Sequence, residues 1–183
     1  MKKPLLTAIS TCVSLLLLAQ ATTLKHGHAH NDYVHHKPLF DALNNGFTSI
    51  EVDVFLHNNK LIVDHLDLSL NSKKDIEELY LRPLQKLITE NDGHVYKNNA
   101  TPVTIMIDFK TGGDTYSKLL EVLRKYSDLV TVYKGDRVLH QKAINILLSG
   151  NTPIATINKQ DTSLVTIDAS ISRIGATDLN YVK

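Results

Sequence analysis

The sequence predicts an α/β chain of the (β/α) TIM-barrel type, cut short after about five of the eight strands. Apolar, β-rich runs alternate along it with helically spaced apolar residues. Charged and polar residues gather where the strand-like runs end, as they do at the C-terminal face of such barrels. An eight-stranded barrel takes about 250 residues. Only residues 22–183 remain once the leader described below is set aside.

Thr23 to His30 reads as the first strand. Pro38 suits the first turn of a helix, with Leu39, Phe40 and Leu43 at helical spacing and Gly46 as its stop. Phe47 to Leu56 reads as a strand. Its alternation puts Glu51, Asp53 and Phe55 on one face and Ile50, Val52 and Val54 on the other. Asn58-Asn59 is a turn, and Lys60 to Asp64 a short strand returning from it. Ser72 with Asp75 forms a capping pattern ahead of Ile76, Leu79 and Tyr80. Pro83 is read as an interruption that opens a second helix carrying Leu84, Leu87 and Ile88, closed by Asn91-Asp92-Gly93. Pro102 to Lys110 is the clearest strand. It is apolar nearly throughout, the pattern of a parallel strand covered on both faces. Asp114 is predicted to cap a helix with Tyr116, Leu119, Leu120, Leu123 and Tyr126 near one face. Leu129 to Tyr133 and Val138 are short strand pieces around Gly135. Ala143 to Leu148, ending in Ser149-Gly150-Asn151, and Leu164 to Ile167, ending in Asp168, are the last strands.

Composition narrows the function classes. Hydrophobic content of 43% and charged content of 21% are those of a globular domain and exclude a disordered chain. The formal net charge is +1, with no basic run and no aromatic-basic interleaving, which argues against nucleic acid as a partner. Residues 1–21 read as a secretory signal peptide: Lys2 and Lys3, an apolar run from Leu5 to Ala19, and Ala19-Gln20-Ala21 before a cut after Ala21. The run is short for a bilayer span of about 20 residues. Residues 22–183 are then one secreted or periplasmic domain. The single cysteine, Cys12, leaves with the leader, so the mature chain has no disulfide, thiolate metal site or cysteine nucleophile.

The chemistry is concentrated between Lys25 and Asp67. Two acids on one face of an otherwise apolar strand, Glu51 and Asp53, cannot be buried as bare charges, because desolvation is too costly. A divalent cation at the strand end solves this, and Asp108, ending a second apolar strand, can supply a third oxygen. Oxygen ligation without cysteine suits Mg²⁺ or Ca²⁺ better than Zn²⁺. Lys110 shares the face of Asp108 and can meet a phosphate oxygen. His26, His28, His30, His35 and His36 crowd one short segment. His28 and His65 are candidates for an acid-base pair near neutral pH.

Taken in order, these residues resemble a known superfamily. His28 lies beside Gly27 and Asn31. Ser49-Ile50-Glu51-Val52-Asp53-Val54 follows, then His65, then Asp108-Phe109-Lys110-Thr111-Gly112. The set is similar to the phosphatidylinositol-phospholipase-C-like (PI-PLC-like) phosphodiesterases, which include glycerophosphodiester phosphodiesterases and sphingomyelinase D. The His-Ala-His-Asn-Asp-Tyr opening at His28 to Tyr33, with His26 before it, is most similar to a secreted branch that also contains the fungal altered-inheritance-of-mitochondria protein 6. The resemblance covers about residues 24–170. It implies a β/α barrel with Mg²⁺ or Ca²⁺ held by Glu51, Asp53 and Asp108. His28 would be the base and His65 the leaving-group acid, with His30, Asn31 and Lys110 contacting substrate. The implied substrate is a small-molecule or lipid phosphodiester of glycerophosphodiester or phospholipid type. A neighbouring substrate hydroxyl often attacks phosphorus in such enzymes, giving a cyclic phosphate. A part in lipid metabolism and a transient contact with a membrane surface follow from that substrate class. The chain departs from the glycerophosphodiester pattern at Ala29, where that branch has Arg.

Two other readings use the same residues. His28-Ala29-His30 also matches the His-x-His of amidohydrolase-like and polymerase-and-histidinol-phosphatase-like hydrolases, which typically bind transition metals, often in pairs. Those enzymes do not need Glu-x-Asp on the next strand. A non-catalytic metal-binding relative would keep the acids without the turnover.

Overall fold

The computed structural model describes residues 22–66 and 73–168. The leader read at residues 1–21, together with Asp67, Ser72 and the chain after Asp168, lies outside them. The strands are β1 (Leu24–Ala29), β2 (Phe47–His57), β3 (Lys60–Val63), β4 (Val103–Phe109), β5 (Val132–Lys134), β6 (Arg137–His140), β7 (Ile144–Gly150) and β8 (Thr166–Ile167). The helices are α1 (Phe40–Asn44), α2 (Arg82–Glu90), α3 (Thr115–Arg124) and α4 (Ile154–Ile157).

β1, β2, β4, β7 and β8 lie side by side in that order, every neighbouring pair parallel. β3 pairs antiparallel with the far end of β2, and β5 with β6 forms a separate hairpin. The expectation of a TIM-type (β/α) barrel is overturned. The sheet is a curled half-barrel of five parallel strands with few helices. The connections explain this. A βα unit needs a crossover helix long enough to cover its strands, but α1 has 5 residues and α4 has 4. The path from β2 to β4 first doubles back through antiparallel β3.

One face of the sheet is dry. Ile50, Val52 and Val54 of β2, Ile105 and Ile107 of β4, and Ile146 and Leu148 of β7 have no exposure. They form one core with Leu84 and Ile88 of α2 and Leu119 and Leu123 of α3. Burying each such side chain contributes about 1.5–3 kcal/mol. The other face is only partly covered. Along β4, Val103, Ile105, Ile107 and Phe109 are buried while Thr104, Met106 and Asp108 stay half-exposed. The near-continuous apolar run therefore does not mark a strand covered on both sides.

Two local features bring the chemistry together. Asn58 and Asn59 both take positive φ, 46° and 59°, and close a two-residue hairpin between β2 and β3. α2 begins at Arg82 with Pro83 in its first turn, as expected. No gap precedes it, because a π-helical turn, Glu77–Leu81, runs directly into α2. Asp75 Oδ1 accepts the Glu78 N–H at 2.9 Å at the start of this helical segment. Asp114 sits at the N-cap of α3 without capping it through its side chain. Thr115 Oγ1 donates to the Gly112 carbonyl instead.

Candidate active site

Strand register sets the acids. Asp53 of β2 stands opposite Asp108 of β4, and Asp108 opposite Ser149 of β7, so three polar residues share one level and one face of the sheet. Glu51 lies two residues back on the same face. Glu51, Asp53 and Asp108 each offer a carboxylate oxygen, and these oxygens lie within 4.8 Å of one another. Gly150 allows this closeness, because a Cβ there would run into Asp108 Oδ1.

Asp53 is the centre of the network and has 0% exposure. Its Oδ2 accepts from the Tyr33 hydroxyl at 2.8 Å, from His65 Nδ1 at 2.8 Å and from Lys110 Nζ at 2.9 Å. Its Oδ1 is buried and has no hydrogen-bond partner among the described residues. A buried carboxylate oxygen left bare costs several kcal/mol unless a cation meets it. Three converging carboxylates, one carrying such an oxygen, fit a hard divalent cation. Lys110 Nζ also lies 3.0 Å from Asp108 Oδ2. Partial burial pulls its ammonium down, but the hydrogen bonds and charges of Asp108 and Asp53 outweigh that and raise it above the ordinary lysine value. Three carboxylates and one ammonium leave two negative charges, the complement of a dication.

The histidines reach the acids from two sides. His28 and Ser49 are register partners on β1 and β2. His28 Nδ1 lies 2.8 Å from Ser49 Oγ, and Nε2 3.2 Å from Glu51 Oε2. His30 Nε2 lies 3.5 Å from the same oxygen. His65 arrives by the β2–β3 hairpin: Val54 pairs with Val63, and two residues further on the chain has come alongside Asp53. Asn31, in the left-handed region at φ 50° where Asn is tolerated, puts its Oδ1 3.1 Å from the Tyr33 hydroxyl. The Lys110 backbone is fixed from both sides, its N–H donating to Val54 O at 2.9 Å and its carbonyl accepting from Asn151 Nδ2 at 3.1 Å.

The eight residues His28, His30, Asn31, Glu51, Asp53, His65, Asp108 and Lys110 thus gather at the C-terminal ends of the strands, in one group around Glu51 and another around Asp53 that the neighbouring carboxylates bring together. Four neighbours were given no role there. Tyr33 bonds Asp53, Ser49 orients His28, and Ser149 shares the level of Asp108, its Oγ buried and without a partner among the described residues. Asp32, with 0% exposure, takes the Tyr80 hydroxyl and the Leu39 N–H. Burial first, then the hydrogen bond and charge of Asp53, push the Tyr33 hydroxyl far above the ordinary tyrosine range, so it remains a donor. Tyr33 and Asp32 could have been suspected, since both lie in the His-Asn-Asp-Tyr run. A lone Ser on a strand gives no sign of its partner until register is known.

Comparison with known proteins places this cluster in a family. The chain is similar to altered inheritance of mitochondria protein 6 of Eremothecium gossypii, at 30% identity over 75% of this chain and 40% of that protein. The same protein of Kluyveromyces lactis matches at 30% over the same shares. An Arthroderma benhamiae homolog matches at 25% over 71% of this chain and 48% of its own length. The chain thus spans less than half the length of these relatives. No solved structure matches it. Residues 18–166, which carry every member of the cluster, match the AIM6-like phosphodiesterase domain, and the chain belongs to that family.

Proposed function

We propose that the chain carries the catalytic centre of a secreted, metal-dependent phosphoric diester hydrolase of the PI-PLC-like kind. Its substrate would be a glycerophosphodiester or a phospholipid-type diester. The observation that carries this reading is the pairing of each imidazole with one acid of the same carboxylate cluster: His28 with Glu51 at 3.2 Å and His65 with Asp53 at 2.8 Å. Glu51, Asp53 and Asp108 would hold Mg²⁺ or Ca²⁺, which supplies Lewis-acid charge to the phosphoryl oxygens. The His-x-His di-metal alternative loses its support here, because the one candidate metal group among the described residues is made of carboxylates alone.

The chain's own groups divide the remaining work. Ser49 can accept from or donate to His28 Nδ1, so it holds the ring in either protonation state. Nε2–H donates to the Glu51 carboxylate, so Nδ1 is the nitrogen that takes a proton from the attacking hydroxyl, with Ser49 turning from donor to acceptor and Glu51 stabilising the imidazolium. His65 donates Nδ1–H to Asp53, which leaves Nε2 to deliver a proton to the departing alkoxide. The Lys110 ammonium offsets charge on a second phosphoryl oxygen.

The test is hydrolysis of bis-(p-nitrophenyl) phosphate and of glycerophosphodiesters, with Mg²⁺, with Ca²⁺ and with chelator. His28→Ala and His65→Ala should each lower turnover by about 10²–10⁴-fold, the usual worth of general acid-base catalysis. Equal turnover in wild type and in both variants would defeat the proposal. Lys110→Met should act differently. Removing one positive charge from between two acids raises cation affinity by about tenfold, while turnover falls. Calorimetry with Mg²⁺ or Ca²⁺ checks the first effect and the diester assay the second.

A further inference from the structure

The buried carboxylate of Asp32 has no place in the chemistry above, yet the loop that carries the site folds around it. Its Oδ2 accepts the Tyr80 hydroxyl at 2.9 Å and the Leu39 N–H. Its Oδ1 makes no hydrogen bond among the described residues, and His35 Nδ1 lies 3.6 Å from it. Both donors stand in unusual backbone. Tyr80 belongs to the π-helical turn, and Leu39 has φ 68°, a conformation a bulky residue rarely adopts. The segment held at these two points, Asn31 to Leu39, begins with Asn31 and Tyr33, which converge on Asp53.

We infer that Asp32 is a positioning residue: by gripping Leu39 and Tyr80 it pins the β1–α1 loop so that the Tyr33 hydroxyl rests on Asp53. Tyr33 then fixes the plane of the Asp53 carboxylate, occupying Oδ2 and leaving Oδ1 without a partner among the described residues. Asp32 therefore acts on the acid cluster through the loop, without touching it. This rests on reading the cluster as a cation site.

Terbium reports the arrangement, because the chain has no Trp and any sensitised emission must come chiefly from tyrosine. Full-length wild type should bind Tb³⁺ and emit under tyrosine excitation, and Tyr33→Phe should lose most of that emission. Asp32→Ala should cut emission per bound ion about fivefold. Tyr80→Phe, which leaves Asp32 and one half of the grip in place, should cut it by about half. Asp32→Asn keeps an acceptor for both donors and should restore it. Circular dichroism confirms that the compared chains are folded, and calorimetry normalises emission to bound ion. Wild-type emission in Tyr80→Phe together with folded Asp32→Ala would overturn the inference, as would undiminished emission in Tyr33→Phe. If wild type binds no Tb³⁺, the cation reading fails. The grip is then read by hydrogen exchange at the Tyr33 and Leu39 amides, which should quicken at least tenfold in Asp32→Ala and Tyr80→Phe. Unchanged exchange would refute the role of Asp32 by itself.

Discussion

Asp53→Asn should lower diester turnover by about a thousandfold or more and leave the chain folded. The side chain is isosteric, so packing around this fully buried position does not change. Its hydrogen bonding does. Asp53 Oδ2 accepts from Tyr33, His65 and Lys110, and a carboxylate serves all three because it only accepts. An amide must turn its NH₂ either toward these donors or to the buried position that Oδ1 now holds without a partner among the described residues. The first choice sets donor against donor. The second aims N–H at the place a cation would take. Either choice removes transition-state charge stabilisation, where losing even one preorganised donor costs about 10²–10³ in rate. Stability should move the other way. Three carboxylates with oxygens within 4.8 Å repel one another, and among the described residues Lys110 is the ammonium that offsets them. Removing one negative charge should hold or raise Tm in chelator. A melt in chelator, calorimetry with Mg²⁺ and the diester assay together decide the matter. Wild-type turnover in this variant would remove Asp53 from the site.

The sequence showed the site better than the sheet that holds it. Glu51 and Asp53 announce themselves because charged residues at alternate positions of an apolar strand demand an explanation. Asp108 does so because it ends a second such strand. That Asp53 and Asp108 stand at one level depends on register, and register between parallel strands depends on packing across more than fifty residues of intervening chain. His65 was legible for a local reason: the Asn58-Asn59 turn returns the chain directly along β2. Ser49 and Ser149 were not, since a strand hydroxyl acquires meaning only from what lies across from it.

The errors share a cause as well. β4 reads as covered on both faces because Met106 and the Thr104 methyl extend the apolar run, yet only Val103, Ile105, Ile107 and Phe109 of this strand are buried. An apolar run measures what a strand can bury, and neighbours decide what it does bury. The closed barrel failed on the same ground. Alternation of strand and helix patterns sets parallel order, but covering each strand requires crossover helices longer than α1 and α4. The reading at Pro83 fared better: α2 begins at Arg82 with Pro83 in its first turn, and only the π-helical turn at Glu77–Leu81 that runs into it carried no signal.

Gly150→Ala should be the most damaging small substitution in the sheet. Gly150 ends β7 at φ 69°, where any Cβ is strained. A Cβ built there meets Asp108 Oδ1, and also falls 2.5 Å from Phe109 O and 2.9 Å from Phe109 N. Real Cβ atoms do not approach so closely, so either β7 shifts away from β4 or Asp108 turns off its level. Positive-φ strain and overpacking each cost about 1–3 kcal/mol, so a loss of about 2–6 kcal/mol is expected. Displacing Asp108 also takes one acid from the cluster, and cation affinity should fall by about a hundredfold. Gly113→Ala separates the two effects. Gly113 likewise has positive φ, 61°, but nothing lies within 4 Å of the Cβ it would gain. It should cost about 1 kcal/mol and leave cation affinity unchanged. Thermal melts with and without Mg²⁺, beside calorimetry, read both variants. If Gly150→Ala matches Gly113→Ala in both measurements, the close seating of Asp108 against β7 has no part in holding the site.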